Sequence, residues 1–328
     1  MRKEIIFILI KRVISSIVIL FLLITFLFVL LRISPGDPSL KYASPELSPR
    51  LASLVKDSFG LNRSLPAQYE QFLVNLFTGN LGISYTYRIP VLQVIGYYLP
   101  FTLVFSLSSF VIQIIFAFLL AFTAYKNLRK RTDKYLSGLS LVTYSIPSFV
   151  IGVSLIFIFS EWMGIFPSSG LISYSNSELS LAGRFWDYSY HMFLPLMTLS
   201  IPGIAEYFKY LRDNLEETSN KAFIENLRAH GFGEAEIIWR HIIPNAVNPL
   251  ISVAGVELGL LLGGALITEV IFALPGMGRL TVNAIFARDY PLIVGCTFVS
   301  GIMVIVANLL ADIVKAKLDK RVLKGMLN

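Results

Sequence analysis

An acid set inside a long uncharged run is the residue in this chain with the clearest capacity for chemistry. Glu257, within Val253 to Leu262, is the deepest such group. An ionisable side chain in an apolar segment of membrane-spanning length is by default a functional candidate, as a proton or cation relay. A relay normally runs through several such groups on neighbouring helices, and no other acid has an evident place beside this one. The competing reading is a protonated or hydrogen-bonded Glu257 facing a helix bundle or a water-filled path, which makes it a candidate for the lining of a translocation route. Glu206, Glu269 and Asp312 fall near the ends of apolar runs. There headgroups and water are within reach, and these three read as boundary residues.

Other chemistry is poorly supplied. No G-x-x-x-x-G-K-[ST] phosphate cradle occurs, and the glycine clusters Gly263-Gly264 and Gly276-Met277-Gly278 lack the lysine and the helix pattern that should follow. His191, His230 and His241 lie in separate segments without metal-ligand spacing, and Cys296 is the single cysteine. No G-x-S-x-G elbow is present. The expectation is a chain that is no enzyme and uses no cofactor or metal.

The elements that would hold Glu257 follow from composition. Of 328 residues, 55% are apolar and 15% charged, and the mean hydropathy is +0.68. A soluble domain has about 45–50% and about 25%, so a polytopic membrane protein is implied. Uncharged runs cover Val13 to Leu31, Phe101 to Tyr125, Tyr135 to Ser160, Tyr188 to Ala205 and Tyr290 to Ala311, and His241 to Ala273 is interrupted only by Glu257 and Glu269. The first is too long for the apolar core of a cleavable signal peptide. Six transmembrane helices are expected, because backbone groups in lipid must be paired within the segment and the runs do not alternate as barrel strands do.

Basic residues orient them. Segments 1–12, 126–134, 206–240 and 312–328 hold four, five, five and five lysines and arginines, 19 of the 28. Retention of basic loops in the cytoplasm places both termini there, in the inner membrane of the cell. The net charge of +7 is then topogenic, with no nucleic-acid partner implied. The domain plan is a cytoplasmic N-terminus at 1–12, a first transmembrane helix at 13–31 and an external, partly folded loop at 32–100. A five-helix core follows at 101–313, carrying a cytoplasmic loop at 212–244, and a basic tail closes the chain at 314–328. Helical spacing in the external loop marks Leu51, Leu54 and Val55, then Tyr69, Phe72, Leu73 and Leu76. Pro35-Gly36-Asp37-Pro38 must turn the chain at the outer surface. Pro275-Gly276-Met277-Gly278-Arg279 is a second turn, before an amphipathic piece with Leu280, Ala284 and Ile285, and suggests a re-entrant loop or gate at the external mouth.

Within the cytoplasmic loop, Phe223 and Leu227 are four apart, as are Ile224 and Arg228, which describes a short helix with one apolar edge. Gly231 is placed to end it and Gly233 to start another, with Glu234 and Glu236 in its first turn. Ala235, Ile238, Trp239, Ile242 and Ile243 would form the next apolar face, and Pro244 and Pro249 mark the bend into the fifth span. The result is a rigid knob able to carry motion from a soluble partner into the bundle, unless Gly231 merely caps a solvated surface helix.

This loop, from Phe223 to Leu250, resembles the EAA loop of ATP-binding-cassette importer permeases, with Gly231 as its hallmark glycine. Further strings resemble the branch that imports dipeptides, oligopeptides or nickel: Pro35-Gly36-Asp37-Pro38, G-L-N-R-S-L-P-A-Q-Y (60–69), G-N-L-G-I-S (79–84), R-I-P-V (88–91), H-M-F-L-P-L (191–196), L-I-T-E-V-I-F-A-L-P-G-M-G-R-L (266–280), A-R-D-Y-P (287–291) and N-L-L-A-D (308–312). They run in order nearly end to end. One departure is Leu227, at a position usually held by alanine. The resemblance implies an all-α, six-span permease fold whose loop residues Glu225, Asn226, Arg228, Ala229, Gly231 and Arg240 meet a separate ATPase subunit. It also implies a second homologous permease, two cytoplasmic ATP-binding subunits, an external solute-binding protein and alternating access. A secondary transporter with Glu257 as coupling acid, and a passive channel or scaffold, are the other classes considered.

Overall fold

The computed structural model describes residues 2–33, 64–173 and 176–318. Pro35 to Pro38, the Leu51 to Val55 spacing and most of the basic tail lie outside the described residues. All named elements are helices, in the order α1 Arg2–Ile33, α2 Leu65–Phe77, α3 Val91–Lys126, α4 Arg131–Ser145, α5 Ser148–Leu155 (continued by a π turn, Ile156–Trp162), α6 Leu181–Ser219, α7 Ala222–Ala229, α8 Glu234–Ile237 (followed by a π turn, Ile238–Ile242), α9 Ile243–Leu262, α10 Leu266–Ile271, α11 Met277–Ala287 and α12 Tyr290–Leu318.

Among the described residues, four helices are long and apolar enough to cross a membrane, Ile10–Ile33, Val91–Lys126, Val253–Ile271 and Tyr290–Val314. The run from Tyr135 to Ser160 is broken where a straight span was expected. α4 and α5 meet at 99°, and counted together they make up to five spans. Pro147 explains the break, because it has no N–H to continue the ladder and pushes Ile146 out of the helical region, to φ −87°, ψ 125°. The run from His241 to Ala273 is also divided, at Gly263-Gly264, into α9 and α10. The expected span Tyr188 to Ala205 lies in α6, whose 39 residues reach about 58 Å at 1.5 Å per residue. The run is uncharged but carries His191, Pro195, Thr198 and Pro202, and α6 is not among those four helices.

α3 and α6 form the central pair. Small and polar residues of α3, among them Thr102, Ser106, Ser109, Gln113, Ala117, Ala121 and Ala124, recur at three- and four-residue spacing and are all buried. Small side chains let helix backbones approach closely where lipid supplies no hydrophobic drive between them, and polar ones bond across. Ser109 and Ser200 hydroxyls are 2.9 Å apart, Gln113 Nε2 donates to the Leu199 carbonyl at 3.1 Å, and Ser106 donates to the Leu261 carbonyl of α9 at 2.6 Å. α1 sits at the edge, joined to α12 by an Arg12–Asp312 ion pair. α2 lies along α1 through a 2.9 Å Thr25–Tyr69 hydroxyl contact and the Phe28–Tyr69–Phe72 ring cluster.

Candidate functional site

Two constellations lie at opposite ends of the bundle. The first is a knob beyond the end of α6. α7 begins after Lys221 and stops at Gly231, whose φ of +82° is the left-handed conformation that favours glycine. Two bonds close it: Phe232 N–H donates to the Leu227 carbonyl at 3.2 Å and Gly231 N–H to the Arg228 carbonyl at 3.0 Å. This is the paired 6→1 and 5→2 pattern of a glycine-ended helix. A Cβ built on Gly231 would meet nothing within 4 Å, so its requirement is conformational and the space above it is open. Arg228 clasps across the corner to Glu234, Nε to Oε1 at 2.6 Å, and this hydrogen bond raises the guanidinium pKa further above its ordinary value.

The root of the knob is apolar. Ile224, Ile237 and Ile242 are fully buried among Tyr207, Phe208, Leu211 and Leu215 of α6 and the alanine stripe of α3. The apolar face expected at Ala235, Ile238, Trp239, Ile242 and Ile243 is present at Ile242 and Ile243, which are buried, and at Ile238, which packs against the same cluster, and is corrected at Ala235 and Trp239. Ile237 takes the buried place, whereas Ala235 is exposed and Trp239 is 57% exposed, stacked near Phe122 with centroids 5.5 Å apart. Pro244 cannot donate back to the preceding turn, and the chain widens into the π turn Ile238–Ile242, which inserts a residue into the helical phase. Glu225, Asn226, Arg228, Ala229, Gly231 and Arg240 are all exposed, and Arg240 pairs with Glu236 at 2.6 Å.

Sequence reasoning missed the brace beside this knob. Arg212, on the α6 stem, grips Asp133 with both arms, Nε–Oδ1 2.9 Å and Nη2–Oδ2 2.8 Å, and reaches Glu216 at 2.5 Å. The Arg129 N–H, at a residue with φ +62°, adds a 2.9 Å bond to Asp133. Asp133 and Arg212 side chains are only 4% and 17% exposed, so each, left alone, is a charge taken out of water. Asp133→Asn and Arg212→Gln are expected to cost about 1–3 kcal/mol each. The double variant should cost clearly less than their sum, as chemical denaturation of the purified protein would register.

The second constellation is the Pro275 to Arg279 turn at the other end. Glu269, expected at a boundary with headgroups in reach, is instead fully buried. Its Oε1 accepts from Thr102 Oγ1 at 2.8 Å, and its Oε2 from the N–H groups of Gly278 at 2.6 Å and Arg279 at 3.1 Å. The latter two are among the first-turn N–H groups of α11 that no helical carbonyl can satisfy, so a carboxylate from another element caps this helix. Thr102 Oγ1 also accepts from Met277 N–H at 2.7 Å. The motif's glycines are explained by this packing. A Cβ on Gly276 would stand 2.2 Å from the Glu269 carboxyl carbon, and one on Gly278 2.5 Å from Leu266 Cα. Arg279 donates to the Ala273 carbonyl. Gly276 and Gly278 are buried while Pro275 is partly exposed. A sequence signal existed in the acid seven residues before G-M-G, but its threonine partner is on another helix.

Between the two ends, Glu257 is half-buried on α9 and makes no hydrogen bond or ion pair with a described residue. Glu206 and Tyr207 of α6 are the titratable groups nearest it electrostatically. Beside the second constellation, Asp187 accepts from Ser173 N–H at 2.9 Å and Asn176 Nδ2 at 2.8 Å. A further bond from the Ser173 hydroxyl is the main cause holding this carboxyl below its ordinary range.

The sequence matches the family described as the binding-protein-dependent transport system inner membrane component over residues 113–324, and the family of its N-terminal part over 5–108. The chain belongs to this binding-protein-dependent transport family. It is accordingly a multi-pass membrane protein and the permease component of an importer. Relatives of nearly full length agree. The oligopeptide transport system permease protein AppB of Bacillus subtilis (strain 168) is 32% identical over 314 residues, covering 95% of this chain and 98% of that one. A nickel import system permease protein NikB of Staphylococcus aureus (strain USA300) is 32% identical over 313 residues, 94% and 90%. The solved structure of the inward-facing MetNI methionine ABC transporter aligns with 72% of this chain and 97% of its own, at 16% identity and a TM-score of 0.50. That likeness concerns the fold alone, which is the all-α permease fold expected above.

Proposed function

We propose that this permease pairs with a second, homologous permease to form the path for di- or oligopeptides, receives them from an external solute-binding protein, and is driven by two cytoplasmic ATPase subunits. The knob end of the bundle is cytoplasmic, with both chain termini, and the Glu269 turn faces outside. The observation that carries this is the knob itself, an exposed glycine-cornered helix whose three buried isoleucines weld it to α3 and α6. ATP binding draws the two ATPases together, each knob moves with the subunit it docks on, and the rigid root passes that displacement to the spans. Coupling exists only if the nucleotide state changes the relative stability of inward- and outward-open forms. The Gly276 to Arg279 turn, clamped by Glu269, forms part of the external gate.

Peptides are the substrate best supported, by the Bacillus relative and by a Sinorhizobium fredii permease described as a probable peptide transporter, 31% identical over 313 residues. The Staphylococcus nickel permease is equally similar to this chain, so competition of a labelled peptide by other peptides and by nickel in uptake assays distinguishes the two. A gradient-driven transporter with Glu257 as coupling acid is the reading to test against. Glu257→Gln is expected to leave ATP-driven uptake within about twofold of the unaltered chain, because a glutamine there keeps the shape and breaks no ion pair with a described residue. Uptake that survives a collapsed proton gradient supports the ATP-driven reading. Loss of uptake in Glu257→Gln together with dependence on that gradient would overturn it.

A further inference from the structure

The stretch Lys126 to Lys134 holds five basic residues in nine positions. Part of it lines a hollow of about 440 Å³ between α4 and α6, together with Lys209 and Arg212. The lining contains four cations, Arg129, Lys134, Lys209 and Arg212, and two acids, Asp133 and Asp213. Both acids are held by Arg212, Asp133 as described above and Asp213 at 3.1 Å. Arg129 reaches Glu216 only at 3.5 Å and its side chain is 83% exposed. Lys134 and Lys209 are exposed and form no ion pair with a described residue. Even with Glu216 shared between Arg129 and Arg212, Lys134 and Lys209 leave the hollow with positive charge that no described residue pairs.

Loose lysines on a soluble surface would simply face water. These stand beside large, exposed side chains: Tyr135, Leu139 and Leu141, on the adjoining turns of α4, are 70%, 51% and 59% exposed. A neighbouring hollow shares Ser140 and Phe208 with the first and is lined mainly by Leu120, Leu136, Leu139, Ile201 and Ile204. Cations at the edge of such a strip lie at the depth of lipid headgroups, and basic pockets between spanning helices suit anionic ones.

We propose that this hollow binds the headgroup of an anionic phospholipid, its phosphate against Lys134, Lys209 and Arg129, with an acyl chain along the Leu136, Leu139 and Ile204 side. A zwitterionic lipid brings no net charge to meet the cations, and a free anion makes no use of the apolar flank. The bound lipid braces α4 against the α6 stem that carries the knob. This inference rests on membrane embedding and the basic lining, and is independent of how the knob is driven.

The test uses the assembled transporter containing the full-length chain, purified in detergent, stripped of lipid and titrated with phosphatidylglycerol or phosphatidylcholine, with bound lipid counted by native mass spectrometry. Phosphatidylglycerol is expected to be retained at concentrations where phosphatidylcholine is lost, and a large excess of inorganic phosphate should leave it in place. Arg129→Gln/Lys134→Gln/Lys209→Gln should weaken that retention at least roughly tenfold, whereas Lys134→Arg/Lys209→Arg should preserve it. Equal retention of the two lipids by the unaltered chain overturns the proposal, as does displacement by phosphate alone. So does undiminished binding by the triple glutamine variant. Should that variant fail to fold, the lipid comparison on the unaltered chain and the arginine variant still decide.

Discussion

Gly231→Val is expected to reduce ATP-driven uptake by at least roughly tenfold while leaving the protein in the membrane at normal abundance. Gly231 holds φ at +82°, and a β-branched residue forced into that region costs about 1–3 kcal/mol. The chain can relieve the strain only by opening the corner, which breaks the two bonds that end α7 and moves the Arg228–Glu234 clasp. Because a Cβ there meets no described residue within 4 Å, the damage is confined to the knob and to whatever docks over it. The spans and their buried faces are untouched, hence the normal abundance. Gly231→Ala, with less bulk in the same strained region, should fall between. Uptake by Gly231→Val equal to that of the unaltered chain, measured in vesicles containing the assembled transporter, would remove the corner from the mechanism.

Glu269→Ala should be the most destabilising of the single substitutions considered, by about 3–5 kcal/mol. It strands the Thr102 hydroxyl and the N–H groups of Gly278 and Arg279 in a dry site, and each unsatisfied buried group costs about 1–3 kcal/mol before relaxation. It also leaves α11 uncapped. Glu269→Gln is a finer probe. The amide oxygen can still accept both N–H bonds, but its NH₂ then faces a Thr102 hydroxyl that already accepts from Met277, leaving the hydroxyl proton without its acceptor. A loss of about 1 kcal/mol is expected, and adding Thr102→Val to Glu269→Gln should show strong non-additivity. Thermal or chemical denaturation in detergent reads both. Equal stability of Glu269→Ala and the unaltered chain would mean that the turn is held by something other than this carboxylate.

The parts legible in the sequence were those whose causes are local. Uncharged runs mark spans because lipid penalises polar side chains within a single segment, and Gly231 is readable as a helix end because a left-handed residue is a property of one position. What escaped depends on residues far apart in the chain. Arg212 and Asp133 are ordinary charges, one in a mixed-charge stretch and one in a basic stretch, until α4 and α6 lie side by side. Glu269 sits where an acid near a span end suggests contact with water, and only Thr102, from a helix more than a hundred residues earlier, makes its burial tolerable. The phase slip at Ile238–Ile242 has a local cause in Pro244, but its outcome, Ile237 inward and Trp239 outward, is decided by which turn widens. The right-angle meeting of α4 and α5 was foreshadowed by Pro147, yet a proline alone predicts a kink and gives no angle.

That meeting has a consequence for where a lone copy of the protein can exist. Two helices end inside one membrane-length apolar run, and although the Ile146 N–H bonds the Thr143 carbonyl at 3.2 Å, the other last carbonyls of α4 have no further turn to bond to. Val142, Tyr144, Ile146 and Phe149 around the bend are exposed on the single chain. Oily solvent offers those carbonyls no hydrogen, and backbone of this kind persists at such depth only when walled by protein or wetted by a cavity. An orphan protomer is therefore an unfinished object in the bilayer. It should be short-lived in cells that lack its mate, prey to membrane proteases, and spared once the facing subunit is made alongside it.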